Sequence, residues 1–504
     1  MENIAIILLN SDNVKMQFVH VNKNKSFAPY KTISMPVNLT KDFYSDYFFK
    51  PAVIKDVVSI MKVFKQMIDM EEIKTTLCYA TCLLNDAKNN NGVLKDIQNV
   101  TGLTFNVVTP EDEVNFIYTA VINTFNKPKS LIVNVDSFNT TFILYNRRNI
   151  LETKYIPVGY ETLYNKFCTA NTTTEKFCND VKEYFKSQIA ELNFVNELPE
   201  EFEIIGVGNM FNNLGVLARR AKKYPIDLAH NFPVTKQDFE KVYGVLKGQD
   251  ITKLTKIKQI SVEDSKYLLT AFSMMGAFLD LNNKDVVTIS RTGFMEGVAF
   301  NYAIPLTVEK PISDTLGYSL QTINEYYDNS CQVAVHNYNL SMILFKQLKV
   351  LHKLGRTYVR VLRIASYLYA SGLRVNYHDK EKIAFNVILN SEIYGVSHSE
   401  IVMASFVAEL CEFDNFNLSD WVKYKDLLTE EDLQAVKRLA VILRIAEGLN
   451  ITGFGNVVDV NCDILGDSVI MKTIVNNDAS LEIKYASLVA SEFKKCFNKN
   501  LEII

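Results

Sequence analysis

The sequence predicts an α/β plus α protein: two related α/β units in succession, then a long helical region. Three observations carry this. An apolar strand, a polar turn and a returning strand occur at the start and again ~125 residues later. Strand and helix patterns alternate around both hairpins. From Ser313 to about Thr452 the apolar spacing is helical. The expected domains are 1–124, 125–305 and 306–504, the last with a small strand region at its end.

Ile4–Leu9 reads as a buried strand, Asn10–Asn13 as a polar turn, and Val14, Met16 and Phe18 alternate with Lys15 and Gln17 on a returning strand. Pro51 opens a helix whose Val53, Val57, Ile60, Met61, Phe64 and Met67 share a face. Thr76–Thr81 and Phe105–Thr109 are short strands, and a helix starts near Glu111. The second unit repeats the opening: Leu131–Val135, the turn Asp136–Asn139, then Thr141–Tyr145. Glu203–Gly208 and Asp285–Ser290 are further strands. In the helical region Val361, Leu362, Ala365, Leu368 and Tyr369 share a face, and Val436–Leu449 is a second amphipathic stretch. Near the end, Val457–Val460, Ser468–Thr473 and Ser480–Lys484 read as strands and Ala486–Phe497 as a helix.

The chain has 504 residues, 48% hydrophobic and 22% charged, enough apolar material for several cores. A net charge of −3 argues against a DNA-binding protein that relies on overall charge. Apolar runs stay short of the ~18 residues that a membrane helix needs. The start, MENIAIILLN, lacks the basic flank and length of a signal peptide, so the expectation is a cytoplasmic protein with no membrane partner. Cys78, Cys82, Cys168, Cys178, Cys331, Cys411, Cys462 and Cys496 form no CxxC pair, and histidines number 6; reduced thiols and no metal site are expected.

Two related α/β units that each open on a hairpin turn are the plan of the actin-like ATPase superfamily, a ribonuclease H-like fold. Four segments resemble one branch of it, the exopolyphosphatase / guanosine pentaphosphate phosphohydrolase (Ppx/GppA) family. IAIILLNSDNVKMQFVHV resembles the family's opening strand with its Asp-Leu-Gly-Ser-Asn-Ser turn. YATCLLNDAKNNNGVLKDIQNVTGLTFNVVTPEDEVNF resembles its Ala-Thr-x-x-Leu-Arg-x-Ala, Thr-Gly and Ser-Gly-x-Glu-Glu-Ala stretch. SLIVNVDSFNTTFIL, followed by IPVGYETLYNKF, resembles its Asp-Ile-Gly-Gly-Gly-Ser-Thr-Glu loop and Pro-x-Gly segment. YVRVLRIASYLYASGLRVNYHDKEKIAFNVILNSEIYGVSHSEIVMASFVA is similar to the helical HD-type domain of longer members.

The resemblance implies hydrolysis of a terminal phosphoanhydride of inorganic polyphosphate or of a guanosine nucleotide. Glycine turns would cradle phosphate, carboxylates would hold Mg²⁺, and a glutamate would activate water. It places the phosphate-binding turns at Ser11 and Asn13, at Asn139 and Thr140, and at Gly208 and Asn209, with Glu113 as the catalytic glutamate. The rest of the pattern is altered. Leu8, Asn134 and Thr141 stand at positions of family carboxylates, and Asp136, Ser137 and Phe138 at three glycines. A second unit charge about 4 Å from a phosphate costs roughly 4 kcal/mol at an effective dielectric of about 20, so Asp136 opposes phosphate. In the helical part, the positions of HD ligands read Leu368-Tyr369-Ala370-Ser371-Gly372, Glu381-Lys382-Ile383-Ala384 and Glu409-Leu410-Cys411, a degenerate HD-like domain. Framework positions such as Gly102, Gly159, Glu296-Gly297 and Gly395 persist.

The basic series Lys346, Lys349, Lys353, Arg356, Arg360 and Arg363 is either a solvated helix face or a polyanion channel, with Arg356 and Arg360 as its candidate contacts. The expectation is a family homologue with impaired or lost catalysis that senses polyphosphate or nucleotides or acts as a scaffold. The alternative is a divergent exopolyphosphatase or guanosine pentaphosphate phosphohydrolase working through Glu113. No metal site and no cofactor is expected, apart from Mg²⁺ if the chain is active. The resemblance also allows a homodimer.

Overall fold

Apolar alternation fixes the first hairpin. The computed structural model describes residues 2–40, 43, 46–169, 172–249, 257–304, 312–327, 331–410 and 418–504. The boundary at 305/306 and Cys411 lie outside them. β1 (Glu2–Leu9) and β2 (Asn13–Val21) pair antiparallel with Leu9 opposite Val14, and Val14, Met16 and Phe18 are wholly buried. β3 (Phe27–Pro36) continues the meander, while β4 (Thr75–Ala80) and β5 (Asn106–Val107) add in parallel, giving the order β3-β2-β1-β4-β5.

The second sheet repeats this plan. β6 (Lys129–Val135), β7 (Thr140–Asn146) and β8 (Asn149–Ile156) form the meander, and β9 (Glu203–Val207) lies parallel to β6. β10 (Phe232–Thr235) and β11 (Val286–Ile289) complete the order β10-β11-β9-β6-β7-β8. The internal repeat therefore includes a third strand in each half. The sequence reading leaves out both β3 and β8, because each is a sheet edge with mostly exposed side chains and no apolar alternation.

Helices cover the sheets. Pro51 is the first residue of Pro51–Met70, which buries Val53, Val57, Met61, Phe64 and Ile68 against the first sheet's core. Thr109 caps the helix Pro110–Thr124: its side chain accepts from Asp112 N at 3.1 Å, and Asp112 Oδ2 accepts from Thr109 N at 3.0 Å. This helix carries Glu113, buried, in its first turn. The helix Phe294–Ala303 packs on it so closely that a Cβ on Gly297 would lie 2.0 Å from the Phe116 carbonyl oxygen.

These two sheets belong to one compact unit, Met1–Tyr224 with Ala229–Ser313; Pro225–Leu228 with Asp314–Ile504 form another. In the second unit Cys331–Gln347, Tyr358–Leu368, Lys380–Asn390, His398–Glu409 and Glu430–Gly448 are helices. A three-stranded sheet, β12 (Val457–Ile464), β13 (Ser468–Val475) and β14 (Asn500–Ile503), stands near its end. One expectation is overturned there: Ser480–Ala486 is a helix, where Ser480–Lys484 reads as a strand. Leu481 is 58% exposed while Glu482 is 1% exposed, the reverse of the alternation. Glu482 turns inward because its Oε1 accepts from Thr452 Oγ1 at 2.6 Å and Asn456 Nδ2 at 2.8 Å, a tertiary pull that outweighs local pattern. The last helix begins at Ala490, after a 3₁₀ turn at Ser487–Val489. Among the described residues, no helix is long and apolar enough to cross a membrane.

Candidate functional site

The tips of the two hairpins meet. Ser11 on the β1–β2 turn and Ser137 on the β6–β7 turn share a buried hydrogen bond, Oγ to Oγ 2.8 Å. Beside them lies a cavity of about 360 Å³ whose walls include Asp12, Asn13, Glu113, Asp136, Asn139 and Gly208. Glu161, 2% exposed, ties the lobes together near it, accepting from Thr40 Oγ1 of the first lobe and from Tyr267 OH of the second, the latter at 3.3 Å.

Glu113 is 7% exposed and held on both oxygens. Oε1 accepts from Asn134 Nδ2 at 3.2 Å and Thr141 Oγ1 at 3.0 Å; Oε2 accepts from Asn139 Nδ2 at 2.9 Å. Read one at a time in the sequence, Asn134 and Thr141 are lost carboxylates. In space these residues form a single cage of neutral donors around the retained glutamate. Burial pushes the Glu113 carboxyl up to about 7, the Asp136 charge adds to that, and the three hydrogen bonds oppose it.

The other expected phosphate contacts divide. Asn13, Asn139, Gly208 and Asn209 line the cavity. Gly208 has φ +96°, and a Cβ there would sit 2.6 Å from Asn134 Oδ1, so this turn into the helix Asn209–Ala221 requires glycine. The Asn209 side chain turns to Asp264, Nδ2 to Oδ1 2.7 Å. Ser11 is engaged with Ser137, and Thr140 donates to the Val158 carbonyl at 2.8 Å, away from the cavity walls.

Two carboxylates stand out that the sequence reading did not count as site residues in their own right: Asp12 and Glu161. Asp12 is pushed up to about 7, first by burial and then by the charges of Asp136, Glu161 and Asp264. Burial also raises the Asp136 carboxyl, against the hydrogen bonds of Ser137. Asp12 sits in a turn of polar residues, and nothing in a one-dimensional pattern sets it against Asp136, ~125 residues away. Among the described residues no group of three or more His, Cys, Asp or Glu side chains is placed to hold a metal ion, so a Mg²⁺ here would have to rest on Asp12 and Asp136 with water or substrate oxygens completing its shell.

In the second unit, Tyr369 and Glu381 join Lys380, Arg444 and Glu447 in a largely buried ionic cluster. The Tyr369 hydroxyl donates to Glu447 Oε1. Lys380 Nζ lies 3.4 Å from Glu381 and 3.5 Å from Glu447, and Arg444 Nη1 lies 2.8 Å from Glu447. Of the basic series, Arg356 is exposed, whereas Arg360 Nε pairs with Glu400 at 2.6 Å and Arg363 with Asp314 at 2.6 Å. Glu400 also caps its own helix through Ser397. Arg360→Gln is expected to cost about 1 kcal/mol, read as a lower urea midpoint, because Glu400 is left without its cation. An unchanged midpoint would mean that the pair is fully offset by hydration.

The model of the Ppx/GppA phosphatase family matches residues 20–304. A bifunctional 3-dehydroquinate synthase/phosphatase of Fusobacterium nucleatum is 22% identical over 286 residues, 55% of this chain and 42% of that one, so the chain spans less than half the length of that relative. A Ppx/GppA family member of Aquifex aeolicus shares 20% identity with a TM-score of 0.52, over 60% of this chain and 97% of that one. An exopolyphosphatase of Cytophaga hutchinsonii shares 16% identity with a TM-score of 0.56, over 60% and 98%. At these identities the two structures establish a shared fold.

Proposed function

Since this chain belongs to the Ppx/GppA phosphatase family, we propose that it keeps the family's two-lobed fold, has lost or nearly lost phosphoanhydride hydrolysis, and serves as a ligand sensor or scaffold. The observation that carries this is the Glu113 cage. A general base needs a free lone pair facing water and a metal to polarise the phosphate. Here Asn134, Asn139 and Thr141 fill three of the roughly four acceptor sites of Glu113, and two of these donors, Asn134 and Thr141, stand where the resemblance calls for carboxylates. Asp136 adds negative charge at a turn where the family resemblance calls for glycine.

A divergent exopolyphosphatase or guanosine pentaphosphate phosphohydrolase is the second reading. One observation favours it: Glu113 lines the cavity with its carboxyl pushed up to about 7, a suitable proton affinity for a base at neutral pH. Phosphate release from long-chain polyphosphate with Mg²⁺, compared between wild type and Glu113→Gln, separates the two. The expected result is no release above background from either protein. Release by the wild type that Glu113→Gln abolishes would establish the second reading.

Sensing of polyphosphate or a nucleotide would need a cationic surface. The exposed Arg356 with its neighbours Lys349 and Lys353 is the candidate in the second unit. If that surface binds polyanions, changing Arg356 and Arg360 together to Gln weakens polyphosphate binding and flattens its salt dependence. Equal affinity and equal salt slope would end this part of the proposal.

A further inference from the structure

The internal repeat brings like to like where the lobes touch. In the first lobe the chain leaving β3 runs back along the β1–β2 turn: Val37 N donates to the Asp12 carbonyl at 2.9 Å and Leu39 N to the Ser11 carbonyl at 2.8 Å. In the second lobe the chain leaving β8 does the same on the β6–β7 turn. Tyr160 N donates to the Asp136 carbonyl and Glu161 N to the Ser137 carbonyl, each at 3.0 Å. A Cβ on Gly159 would lie 2.3 Å from the Ser137 carbonyl, so this segment lies close on its turn. Turn meets turn at Ser11 and Ser137, and segment meets segment at Thr40 and Glu161. Asp12 and Asp136 line the cavity, so whatever spaces the two segments also spaces two of its walls.

Of the two contacts, the second is poised for release. Thr40 is 6% exposed and Glu161 2%, so water does not compete for their bond while the lobes are together. Both donors, Thr40 Oγ1 and Tyr267 OH, fall on Glu161 Oε1, and Glu161 Oε2 is buried without a partner among the described residues. A buried carboxyl oxygen without a partner favours any state that hydrates it. The Thr40 hydroxyl has one proton and two acceptors within reach: Glu161 Oε1 across the contact, and Asn38 Oδ1 of its own lobe at 3.0 Å. When the lobes part, the hydroxyl turned to Asn38 stays satisfied, Glu161 keeps Tyr267, and Oε2 gains water.

We propose that Thr40 and Glu161 form an autoinhibitory clasp that holds the lobes at this spacing, and that turning the Thr40 hydroxyl from Glu161 to Asn38 releases it and opens the cavity to a ligand. The clasp governs access to the cavity, and it does so for a sensing site and a hydrolysing site alike. The Ser11–Ser137 pair assists it more weakly, because a bond between two hydroxyls is worth less than one accepted by a carboxyl group.

Cys82 is the reporter. It lines the cavity from the first lobe, and its Sγ lies 3.1 Å from the Tyr155 hydroxyl on β8 of the second, so parting of the lobes uncovers it. The rate at which N-ethylmaleimide labels each cysteine of the full chain is followed by peptide mass spectrometry, with Cys462 and Cys496 of the second unit as internal controls. Thr40→Val is expected to speed labelling of Cys82 about tenfold over wild type, Thr40→Ser to leave it at the wild-type rate, and Ser11→Ala to fall between them. Each variant is first checked for a cooperative melting transition. If Thr40→Val lacks one, Tyr267→Phe takes its place, since it removes the second donor that holds Glu161 in line; labelling about threefold faster is then expected. Labelling of Cys82 that stays at the wild-type rate overturns the clasp. So does Thr40→Ser labelling as fast as Thr40→Val, which would make packing and not the hydrogen bond the cause. A larger effect of Ser11→Ala than of Thr40→Val, or a rise shared by Cys462 and Cys496, overturns it as well. Phosphate release decides between the two readings of the cavity and leaves the clasp untouched.

Discussion

Gly297→Ala is expected to destabilise the first unit by about 3 kcal/mol or more, seen as a large drop in its urea midpoint. The added methyl would lie 2.0 Å from the Phe116 carbonyl oxygen and 2.5 Å from the Phe116 carbonyl carbon. Those are backbone atoms of the helix Pro110–Thr124, so no rotamer change can relieve the contact. The helix Phe294–Ala303 would have to move outward, and the ring pair Phe116–Phe294, with centroids 5.0 Å apart, would open. Gly244→Ala is the matched control. It sits in the helix Lys236–Lys247 with no atom within 4 Å of the new Cβ, and should be neutral or gain up to about 1 kcal/mol from reduced unfolded-state freedom. If both variants unfold together with wild type, the close approach of the two helices is not what holds them.

The second large effect is in the pH dependence of stability. Glu113 is pushed from the usual 4.5 up to about 7, chiefly by burial. Between those values the unfolded chain has released this proton while the folded chain still holds it. Stability therefore falls as pH rises through the window, by an amount on the order of 3 kcal/mol, and the loss is complete above pH 7. Asp12, raised to about 7 for the same main reason, acts in the same direction. Glu113→Gln removes the titration and places an amide N–H against a cage of donors. It should cost about 1–2 kcal/mol near pH 5 and lose much less, or gain, near pH 8. Urea midpoints of the two proteins measured from pH 4.5 to 8 should converge or cross; a constant gap would mean that Glu113 does not titrate in that range.

Much of the fold is legible in the residues. Val14, Met16 and Phe18 announce the returning strand of the first hairpin, and Pro51 marks the start of its helix. The edges are not legible. β8 carries Glu152, Lys154 and an exposed Leu151, and its strand form comes from pairing with β7 rather than from its own pattern. Ser480–Ala486 fails in the opposite way, with a strand-like alternation overridden by the contacts of Glu482. At the cavity, the positions of Glu113, Gly208 and Asn139 follow from motif resemblance. That Asn134, Asn139 and Thr141 all turn on one carboxylate does not, because the cage joins a helix to the far side of a hairpin.

The meeting of Ser11 with Ser137 has a consequence for motion. A neutral hydroxyl pair contributes about 1 kcal/mol net, which biases a two-state equilibrium only about fivefold. Glu161, which accepts from Thr40 on one lobe and Tyr267 on the other, carries the rest of the hold on the tips, so the serine pair trims their spacing rather than locking it. A tenfold preference of a ligand for one spacing of the tips would outweigh the serine pair, and would still have to be set against the bridge through Glu161.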